Sequence, residues 1–507
     1  MRPLRTYAGK PKNLDAIMML LGTALLLAAV VHASPSGPCT TISTLVSANA
    51  NVYWPNSTEY TLAIEHWLLS SIEAPQCVVE PSSAADIGAI LKNVDATHTP
   101  FAVKGGGHTS NKGFSSTTGV HISLAQFNYT NLDAGAETVA IGAGTKWISV
   151  YTALDGTGLN VVGGRNPAVG VAGLTLGGGY SWKTNAHGLV IDNLLKINIV
   201  LPNGTATTAS ATHNADLFFA LKGGFNNFGV VTEFTFRAIP QDLVYGGHLT
   251  YSAAQMAAVN AAVVTFEQNN TDARAAIVHG ITSTPTNGTF GAPFPAVQLF
   301  YDGSVLPEGM FADFFVIPTV SNDFGGPMSF LTWSGTDGGV SGLRGVFHAF
   351  STLPHTPEFL QDVVDEVSAF AAKLGPRSAA FLSVAIEPFM QSALNTSNAA
   401  SSAYPPVRIP VLLPSNIFFG YTDATQDGAF HTAIAQMQAN IIAKAAARGI
   451  MYPQSDGGSI YPNYALAGEG GAYVREFWGE DHLKRMKEVR ERIDPRGVMR
   501  LAGGWKV

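Results

Sequence analysis

Three clusters of glycine constrain the fold of this chain more than any other feature of its sequence. They are VKGGGHTSNKGF at 103–114, a glycine-rich stretch at 163–204, and GGFNNFG at 223–229. Glycine accepts backbone conformations with positive φ and lets another backbone or a ligand approach closely. One such cluster is typical of tight turns in an α/β core. Three in order, with His108 in the first, predict a wall of backbone amides along a flat or anionic ligand.

Composition and motifs exclude several classes of protein. At 507 residues, the chain is long enough for two or three structural units. Its net charge of -7 and the lack of a basic block argue against nucleic-acid binding. No segment matches the P-loop, or a G-x-G-x-x-G motif between a strand and a helix. Two cysteines give no zinc-ligand spacing, so we expect no metal site.

The segment 1–33 has the pattern of a secretory signal peptide. Basic residues precede the apolar run 16–31, and small residues follow it near Ala33. The run is shorter than the ~20 apolar residues that a spanning helix needs. Cleavage after Ala33 and secretion are therefore favoured, with no membrane span in the mature protein. An uncleaved membrane anchor is the alternative.

Glycosylation sequons and a pair of cysteines agree with secretion. The sequons begin at Asn56, Asn128, Asn203, Asn269, Asn287 and Asn395. Together they predict a glycosylated surface. In an oxidising compartment we expect Cys39 and Cys77 to form one disulfide, and two buried free thiols are the alternative.

The order of the predicted elements indicates an α+β fold. Before residue 240, strands and helices alternate with glycine at the joins. In the middle of the chain, helical spacing at 357–375 and 431–449 is separated by strand-like runs. This pattern predicts an antiparallel sheet with helices on one face. Apolar spacing from 483 to 493 predicts a C-terminal helix that ends before Pro495 and packs back on the first part.

The glycine clusters and the C-terminus together resemble one known family. The succession KGGGH, GGRNPAVGVAGLTLGGGYS, GLVIDN and GGFNNFGVVTEF is similar to the flavin-binding domain of berberine bridge enzyme-like oxidases, within the vanillyl-alcohol oxidase superfamily. The runs YPNY at 461–464 and FWGEDHLKRMKEVRERIDP at 477–495 resemble the end of the same family. The resemblance covers 40–240 and 455–500, and the region between them matches no motif.

The resemblance implies a domain organisation. We expect a two-part FAD-binding domain of the PCMH type, made of two α/β subdomains, with an inserted substrate domain of antiparallel sheet covered by helices. The implied boundaries are 34–240 for the FAD-binding domain, with its core at 71–240, then 241–454 for the substrate domain. The C-terminal segment 455–507 would return to the FAD-binding domain.

The resemblance also gives His108 a role. In this family, the histidine of the first loop is bonded to the 8α-methyl group of FAD, and a hydrogen-bonded structural histidine is the alternative for His108. Many relatives have a second bond from a cysteine at the position of Asn166, so a single covalent bond is implied here. Val169 stands where oxidases of the family commonly have valine, which favours O2 as the electron acceptor.

Other residues are implied to contact FAD by their place in the family motifs. The amides of Gly105, Gly106 and Gly107 would hold the pyrophosphate, with Lys104 as a counter-charge. Asn166 and Val169 would also line the cofactor. The remaining implied contacts are Gly170, Gly173, Gly178, Gly179, Asp192, Gly229, Val231 and Asn463.

Three tyrosines are the candidates for acid-base chemistry. Tyr180 follows three glycines in the run GGGYS of the second glycine cluster, while Tyr461 and Tyr464 lie in YPNY. A phenol with a pKa of ~10 needs a partner to act as a base near neutral pH, and a buried ring with a satisfied hydroxyl is the alternative for each. The family motif YxNYxD lacks its aspartate here. Glu387 and His348 are further possible bases that no pattern singles out.

These features together predict a monomeric FAD-linked oxidase. We expect hydride transfer from a small organic alcohol or secondary metabolite to FAD, which O2 reoxidises with release of H2O2. The apolar middle region favours such a substrate over a carbohydrate. An oligosaccharide oxidase, a flavoprotein dehydrogenase and a non-catalytic flavin binder are the alternatives.

Overall fold

The structure is a computed structural model of the chain. It describes residues 37–286, 288–336, 339–395, 398–453, 456–458, 460–468 and 473–507. The expected signal peptide at 1–33 and the sequon at Asn287 lie outside the described residues. Gly37–Val507 form one compact unit, and the expected domain boundaries after 240 and 454 stay predictions.

A four-stranded sheet carries the first glycine cluster. Its strands lie in the order Asn51–Tyr53, Cys77–Glu80, Val120–Ser123 and Phe101–Lys104. The last three are parallel. The connecting helix Ala84–Thr97 begins after Ser83 because the Ser83 hydroxyl accepts the Asp86 N–H at 3.2 Å. The turn that contains His108 follows the strand Phe101–Lys104, so His108 lies at the carboxyl edge of the parallel strands.

A five-stranded antiparallel sheet adjoins the other two clusters. Its strands lie in the order Thr130–Asp133, Thr138–Gly142, Val230–Arg237, Leu194–Val200 and Ala206–Ser210. The helices in this part are Trp147–Leu154, Val171–Leu176, Thr184–His187 and Ala215–Leu221. Gly229 has φ 139°, and a Cβ atom there would lie 2.3 Å from the Val200 carbonyl oxygen. Only glycine therefore fits where the chain enters the strand Val230–Arg237.

An eight-stranded antiparallel sheet forms the middle of the chain. Seven strands follow the order Thr319–Asn322, Val244–Tyr251, Phe294–Tyr301, Ala275–Ser283, Ala379–Ile386, Leu413–Tyr421 and Arg344–Thr352. The eighth, Gly325–Met328, pairs with Val244–Tyr251. The long helices that share a hydrophobic core with the sheet are Met256–Asn269, Pro357–Leu374 and Asp427–Ala447. The predicted antiparallel sheet with its helices is confirmed.

The C-terminal helix Val474–Ile493 contacts the third glycine cluster. Trp478 Nε1 donates to the Gly223 carbonyl at 2.9 Å, and Gly479 interrupts the helix with φ 62°. The helix ends before Asp494, whose carboxylate accepts the N–H groups of Val498 and Met499 at 2.8 Å each. This carboxylate turns the chain sharply after the helix.

A disulfide ties the start of the described chain to the four-stranded sheet. Cys39 and Cys77 have 2.07 Å between their sulfur atoms and 6.0 Å between their Cα atoms, which confirms the predicted pairing. The remaining helices are Pro38–Leu45, Thr58–Ala63, Ala312–Phe315 and Phe330–Ser334, and the remaining strand pairs are Leu159–Asn160 with Ile239–Pro240 and Pro285–Thr286 with Thr289–Phe290. Within the described ranges, no helix has the length and apolar character to cross a bilayer.

Candidate active site

The first and second glycine clusters meet backbone to backbone. A Cβ atom at Gly106 would lie 2.5 Å from the Gly170 N and Cα atoms, and one at Gly170 would lie 2.4 Å from the Gly106 nitrogen. These distances exclude any side chain, so packing alone requires both glycines. The contact also brings the Asn166–Val169 turn against the turn that contains His108.

The N–H groups of Gly105, Gly106 and Gly107 have no hydrogen-bond acceptor among the described residues. Adjacent free amides at the carboxyl edge of parallel strands suit an anionic group. The neighbouring Lys104 ammonium is directed to backbone carbonyls, those of residues 63 and 65, at 2.5 and 2.9 Å. Burial lowers the pKa of Lys104 to about 8. Its role as a counter-charge stays a prediction.

His108 lies beside these amides with its ring stacked on an indole. The ring centroids of His108 and Trp67 are 4.0 Å apart, with 11° between the planes. The Nε2 atom of His108 is buried and has no hydrogen-bond partner in the described part of the chain. Burial, followed by the charge of Lys146, lowers the pKa of His108 to about 4. The imidazole is therefore neutral at pH 7, the form with a nucleophilic nitrogen.

The three candidate tyrosines form one cluster of rings. The Tyr461 ring packs edge-to-face against Tyr180 and Tyr464, with centroids 4.9 and 4.8 Å away. The Tyr461 hydroxyl accepts the Gly179 N–H at 3.1 Å and the Asn463 Nδ2 group at 2.8 Å. Burial raises the pKa of Tyr461 to about 12. These bonds give Tyr461 the role of joining YPNY to the second glycine cluster.

Tyr464 is the tyrosine with charged partners. Its hydroxyl donates to Glu387 Oε1 at 3.0 Å and accepts from Arg165 Nη2 at 2.8 Å. Arg165 Nη2 also donates to Glu387 Oε2 at 2.7 Å. The three side chains, which we call the Tyr464 cluster, thus close a ring of hydrogen bonds. Asn416 Nδ2 adds a longer contact of 3.4 Å to Glu387 Oε1.

The electrostatics of the Tyr464 cluster follow from its burial. Burial raises the pKa of Tyr464 well above its ordinary value, and the positive charge of Arg165 opposes that rise. Burial lowers the pKa of Arg165, but the adjacent Glu387 carboxylate outweighs this effect and the pKa is raised overall. Arg165 is therefore a permanent cation, and its interaction with the Tyr464 oxygen is strong in these surroundings.

Aromatic rings surround the Tyr464 cluster. The Arg165 guanidinium lies 5.9 Å from the ring centroids of both Trp182 and Phe389. Phe389 stacks on Tyr180 at 4.9 Å, and Phe347 lies 6.4 Å from Tyr464. The polar ring is therefore set in an apolar environment with few other hydrogen-bonding groups.

The loop after YPNY lacks the family aspartate and is held by Asn111 instead. Asn111 Nδ2 donates to the Ala465 carbonyl at 2.8 Å, and its Oδ1 accepts the Ala467 N–H at 2.9 Å. Asn111 belongs to the first glycine cluster, so this pair of bonds joins YPNY to the turn that contains His108. The departure from the family motif therefore leaves this loop hydrogen-bonded.

The other predicted cofactor residues occupy three places. Gly173 has open space beside its Cα atom, whereas Gly178 and Gly179 have φ values of 114° and 84° and pack closely on Tyr404 and Val190. Val231 lies in the five-stranded sheet, paired with Ile199 and two residues after Gly229. Whether these residues contact FAD stays a prediction.

Asp192 lies in a buried ion pair. The Nη1 and Nη2 groups of Arg408 donate to its two carboxylate oxygens at 2.9 Å each, and the Leu189 N–H donates at 2.9 Å. These bonds give Asp192 a structural role, and its predicted contact with FAD is untested. His348 is also buried. Its Nδ1 atom accepts the Ala349 N–H at 2.8 Å, and its Nε2 atom lies 3.4 Å from the Tyr473 hydroxyl.

Sequence reasoning missed two residues of this site and did not distinguish a third. Trp67 was not predicted, and Arg165 was quoted only within its motif. Glu387 was named without a supporting pattern. Arg165 carries one signal, since it is the only charged residue between Asp155 and Lys183. Its partners Glu387 and Tyr464 lie 222 and 299 residues away in the chain. Residue spacing along the sequence therefore could not predict that the three side chains meet.

Free amides beside a neutral histidine, at the carboxyl edge of a parallel sheet, suit the anionic group of a nucleotide cofactor, and similar proteins identify the class as one that binds FAD. The model of an FAD binding domain matches residues 75–210. An FAD-dependent monooxygenase of Aspergillus niger is 30% identical over 437 residues, 83% of this chain and 71% of the relative. Another from Penicillium terrestre is 30% identical over 478 residues, 91% of this chain and 87% of the relative. The chain belongs to this family of FAD-linked oxidoreductases.

Solved structures agree on the fold. Physcomitrella patens BBE-like 1 superposes with a TM-score of 0.75 at 18% identity, covering 91% of this chain and 97% of that one. A glucooligosaccharide oxidase of Acremonium strictum, described as having a novel flavinylation, gives a TM-score of 0.74 at 18% identity and covers 92% and 97%. The predicted PCMH-type fold of berberine bridge enzyme-like proteins is confirmed.

Proposed function

We propose that this protein is a secreted, glycosylated oxidase of a small organic alcohol or secondary metabolite. It holds FAD through one covalent bond to His108, uses O2 as the electron acceptor and releases H2O2. The observation that carries the proposal is the Tyr464 cluster, because it places a hydroxyl between a carboxylate and a guanidinium in apolar surroundings. The disulfide of Cys39 and Cys77 supports secretion.

The residues of the glycine clusters fit FAD. The free amides of 105–107 would bind its pyrophosphate, and the neutral, buried His108 would bond to the 8α-methyl group. Asn166 offers no thiol and both cysteines form the disulfide, so His108 would be the only tether. Bound in this way, FAD supplies the capacity to accept a hydride from a substrate carbon and to pass the electrons to O2.

Oxidation of an alcohol also requires removal of the hydroxyl proton, and Tyr464 would perform this step. Its hydroxyl would take the substrate proton while its own proton passes to Glu387 along the 3.0 Å hydrogen bond. Because burial raises the pKa of Tyr464, a standing phenolate is unfavourable, and this relay avoids one. Arg165 would stabilise the negative charge that develops on the Tyr464 oxygen.

The surroundings of the cluster favour a small organic substrate over a carbohydrate. The rings of Trp182, Phe347 and Phe389 offer apolar contact but few hydrogen bonds, and a sugar leaves costly unpaired hydroxyls in such a place. Structural neighbours include a chitooligosaccharide oxidase and a xylooligosaccharide oxidase. A carbohydrate oxidase is therefore the first alternative.

A monooxygenase is a second candidate, because the relatives from Aspergillus niger and Penicillium terrestre carry that name. Such an enzyme would insert one oxygen atom into the substrate and would consume a reductant. A dehydrogenase and a non-catalytic flavin binder are the remaining alternatives.

Peroxide and oxygen measurements on the purified protein, with a panel of alcohols, phenols and sugars, separate these functions. An oxidase releases equal amounts of H2O2 and oxidised product and leaves labelled O2 out of the product. Label in the product, together with a need for added reductant, identifies a monooxygenase. Flavin that a substrate bleaches but air does not restore identifies a dehydrogenase. Flavin that no substrate bleaches contradicts the proposal and indicates a binding protein.

A further inference from the structure

Trp67 holds the His108 ring from one face. With ring centroids 4.0 Å apart and 11° between the planes, the two rings are almost parallel. The backbone N–H of Trp67 also donates to the Gly107 carbonyl at 3.0 Å. The main chain and the side chain of Trp67 therefore both contact the turn that contains His108. A flat stack leaves the imidazole nitrogens at the ring edge and hinders rotation of the imidazole plane.

The Trp67 indole is itself held by residues from the middle of the chain. Its Nε1 group donates to the Val340 carbonyl at 2.5 Å. Its ring packs against Phe347 and Phe418 with centroids 5.6 and 5.3 Å away. These phenylalanines face each other on paired strands of the eight-stranded sheet and stack at 4.1 Å. The indole is therefore clamped between that sheet and the turn that contains His108.

We propose that Trp67 is a positioning residue that holds the His108 imidazole for covalent attachment to FAD. This inference rests on the proposed tether at His108. In the attachment, a bond between an imidazole nitrogen and the 8α carbon replaces one imidazole N–H and one methyl C–H. The two protons and two electrons that are released pass to the flavin ring and then to O2, which gives H2O2.

The stack would help this reaction by fixing the imidazole ring. A reacting nitrogen that moves by about 1 Å loses about 100-fold in rate, and the stack hinders that movement. This effect needs a flat ring at residue 67 rather than apolar bulk alone.

The test compares Trp67→Leu, which keeps apolar bulk, with Trp67→Phe, which keeps a flat ring. Trp54→Leu is the matched control, because Trp54 is 42% exposed and the chemical change is the same. Each full-length protein is purified at a fixed time after induction. Total flavin per protein is measured by absorbance, and covalent flavin is measured as the colour that stays with acid-precipitated protein. His108→Ala is included in the same series.

We expect the covalent fraction to fall by about tenfold or more in Trp67→Leu, while Trp67→Phe and Trp54→Leu stay near the wild type. If Trp67→Leu gives no soluble protein, Trp67→Met removes the ring with a side chain that adapts to the gap, and the same loss is expected. A wild-type covalent fraction in either aliphatic variant overturns the role of Trp67. Covalent flavin in His108→Ala instead overturns the proposed tether.

Discussion

Replacing Tyr464 with phenylalanine tests the proposed proton relay with the smallest change that the site allows. The variant loses one hydroxyl, which bonds to Glu387 Oε1 at 3.0 Å and Arg165 Nη2 at 2.8 Å, and keeps the ring that packs on Tyr461. General acid-base catalysis contributes about 10²–10⁴-fold, or about 3–5 kcal/mol of barrier. We expect kcat to fall by this factor, with little change in KM because the hydroxyl acts mainly in the transition state.

Glu387→Gln completes the experiment, since it keeps the shape of the side chain and removes the proton acceptor. It also leaves Arg165 unpaired, so we expect a loss of stability of up to about 3–5 kcal/mol in denaturant unfolding. If Tyr464 passes its proton to Glu387, both residues serve one step, and the kcat of the double variant will be no lower than that of the less active single variant.

The assay is peroxide release at saturating substrate, on protein with equal flavin content. Tyr251→Phe is the matched control, because its hydroxyl donates to the Phe314 carbonyl at 3.0 Å, outside the Tyr464 cluster, and we expect an unchanged kcat. Losses that multiply in the double variant would show that the two residues act independently. A Tyr464→Phe protein with wild-type kcat would refute the relay altogether.

Three further predictions concern the disulfide, the buried histidines and oxygen access. Replacing Cys39 and Cys77 by serine opens a loop of 38 residues. The free energy of unfolding, measured by urea titration, should fall by about 4 kcal/mol. An unchanged urea midpoint of unfolding contradicts this prediction. Burial lowers the pKa of His121 and His279 to about 3, so below about pH 6.5 the unfolded chain binds more protons than the folded one. Thermal stability should therefore fall as the pH drops from 6.5 towards 4, and His121→Phe should flatten this fall. Val169→Leu should slow flavin reoxidation by O2 in stopped-flow measurements, while substrate reduction of the flavin stays unchanged.

The parts of the fold that the sequence predicted are those controlled by local chemistry. The Ser83 cap starts a helix through a hydrogen bond to a residue three positions on, and the apolar period of residues 483–493 places one face of the last helix in a core. The sequence also shows where the glycines lie, but it explains only in part why each position requires glycine. Gly106 and Gly170 are required by contact between two loops, which a single stretch of sequence does not reveal.

The sequence predicted the site residues that belong to a family motif. It did not predict those that join the site only through tertiary contacts. Tyr464 was one of three equivalent candidates, and it is distinguished only by Glu387 and Arg165, which come from distant parts of the chain. Trp67 precedes all three glycine clusters in the chain. It meets His108 because its backbone N–H bonds to the Gly107 carbonyl. Contacts of this kind depend on the complete fold rather than on any local pattern.

The attachment of FAD is tested most directly by peptide mapping of the denatured, trypsin-digested protein. Cleavage after Lys104 and Lys112 gives the peptide GGGHTSNK, and cleavage after Arg165 and Lys183 gives the peptide that begins at Asn166. We predict that the mass of FAD is found on the peptide of His108 alone. Flavin that is released free on denaturation, or that is found on the peptide of Asn166, contradicts a single bond through His108.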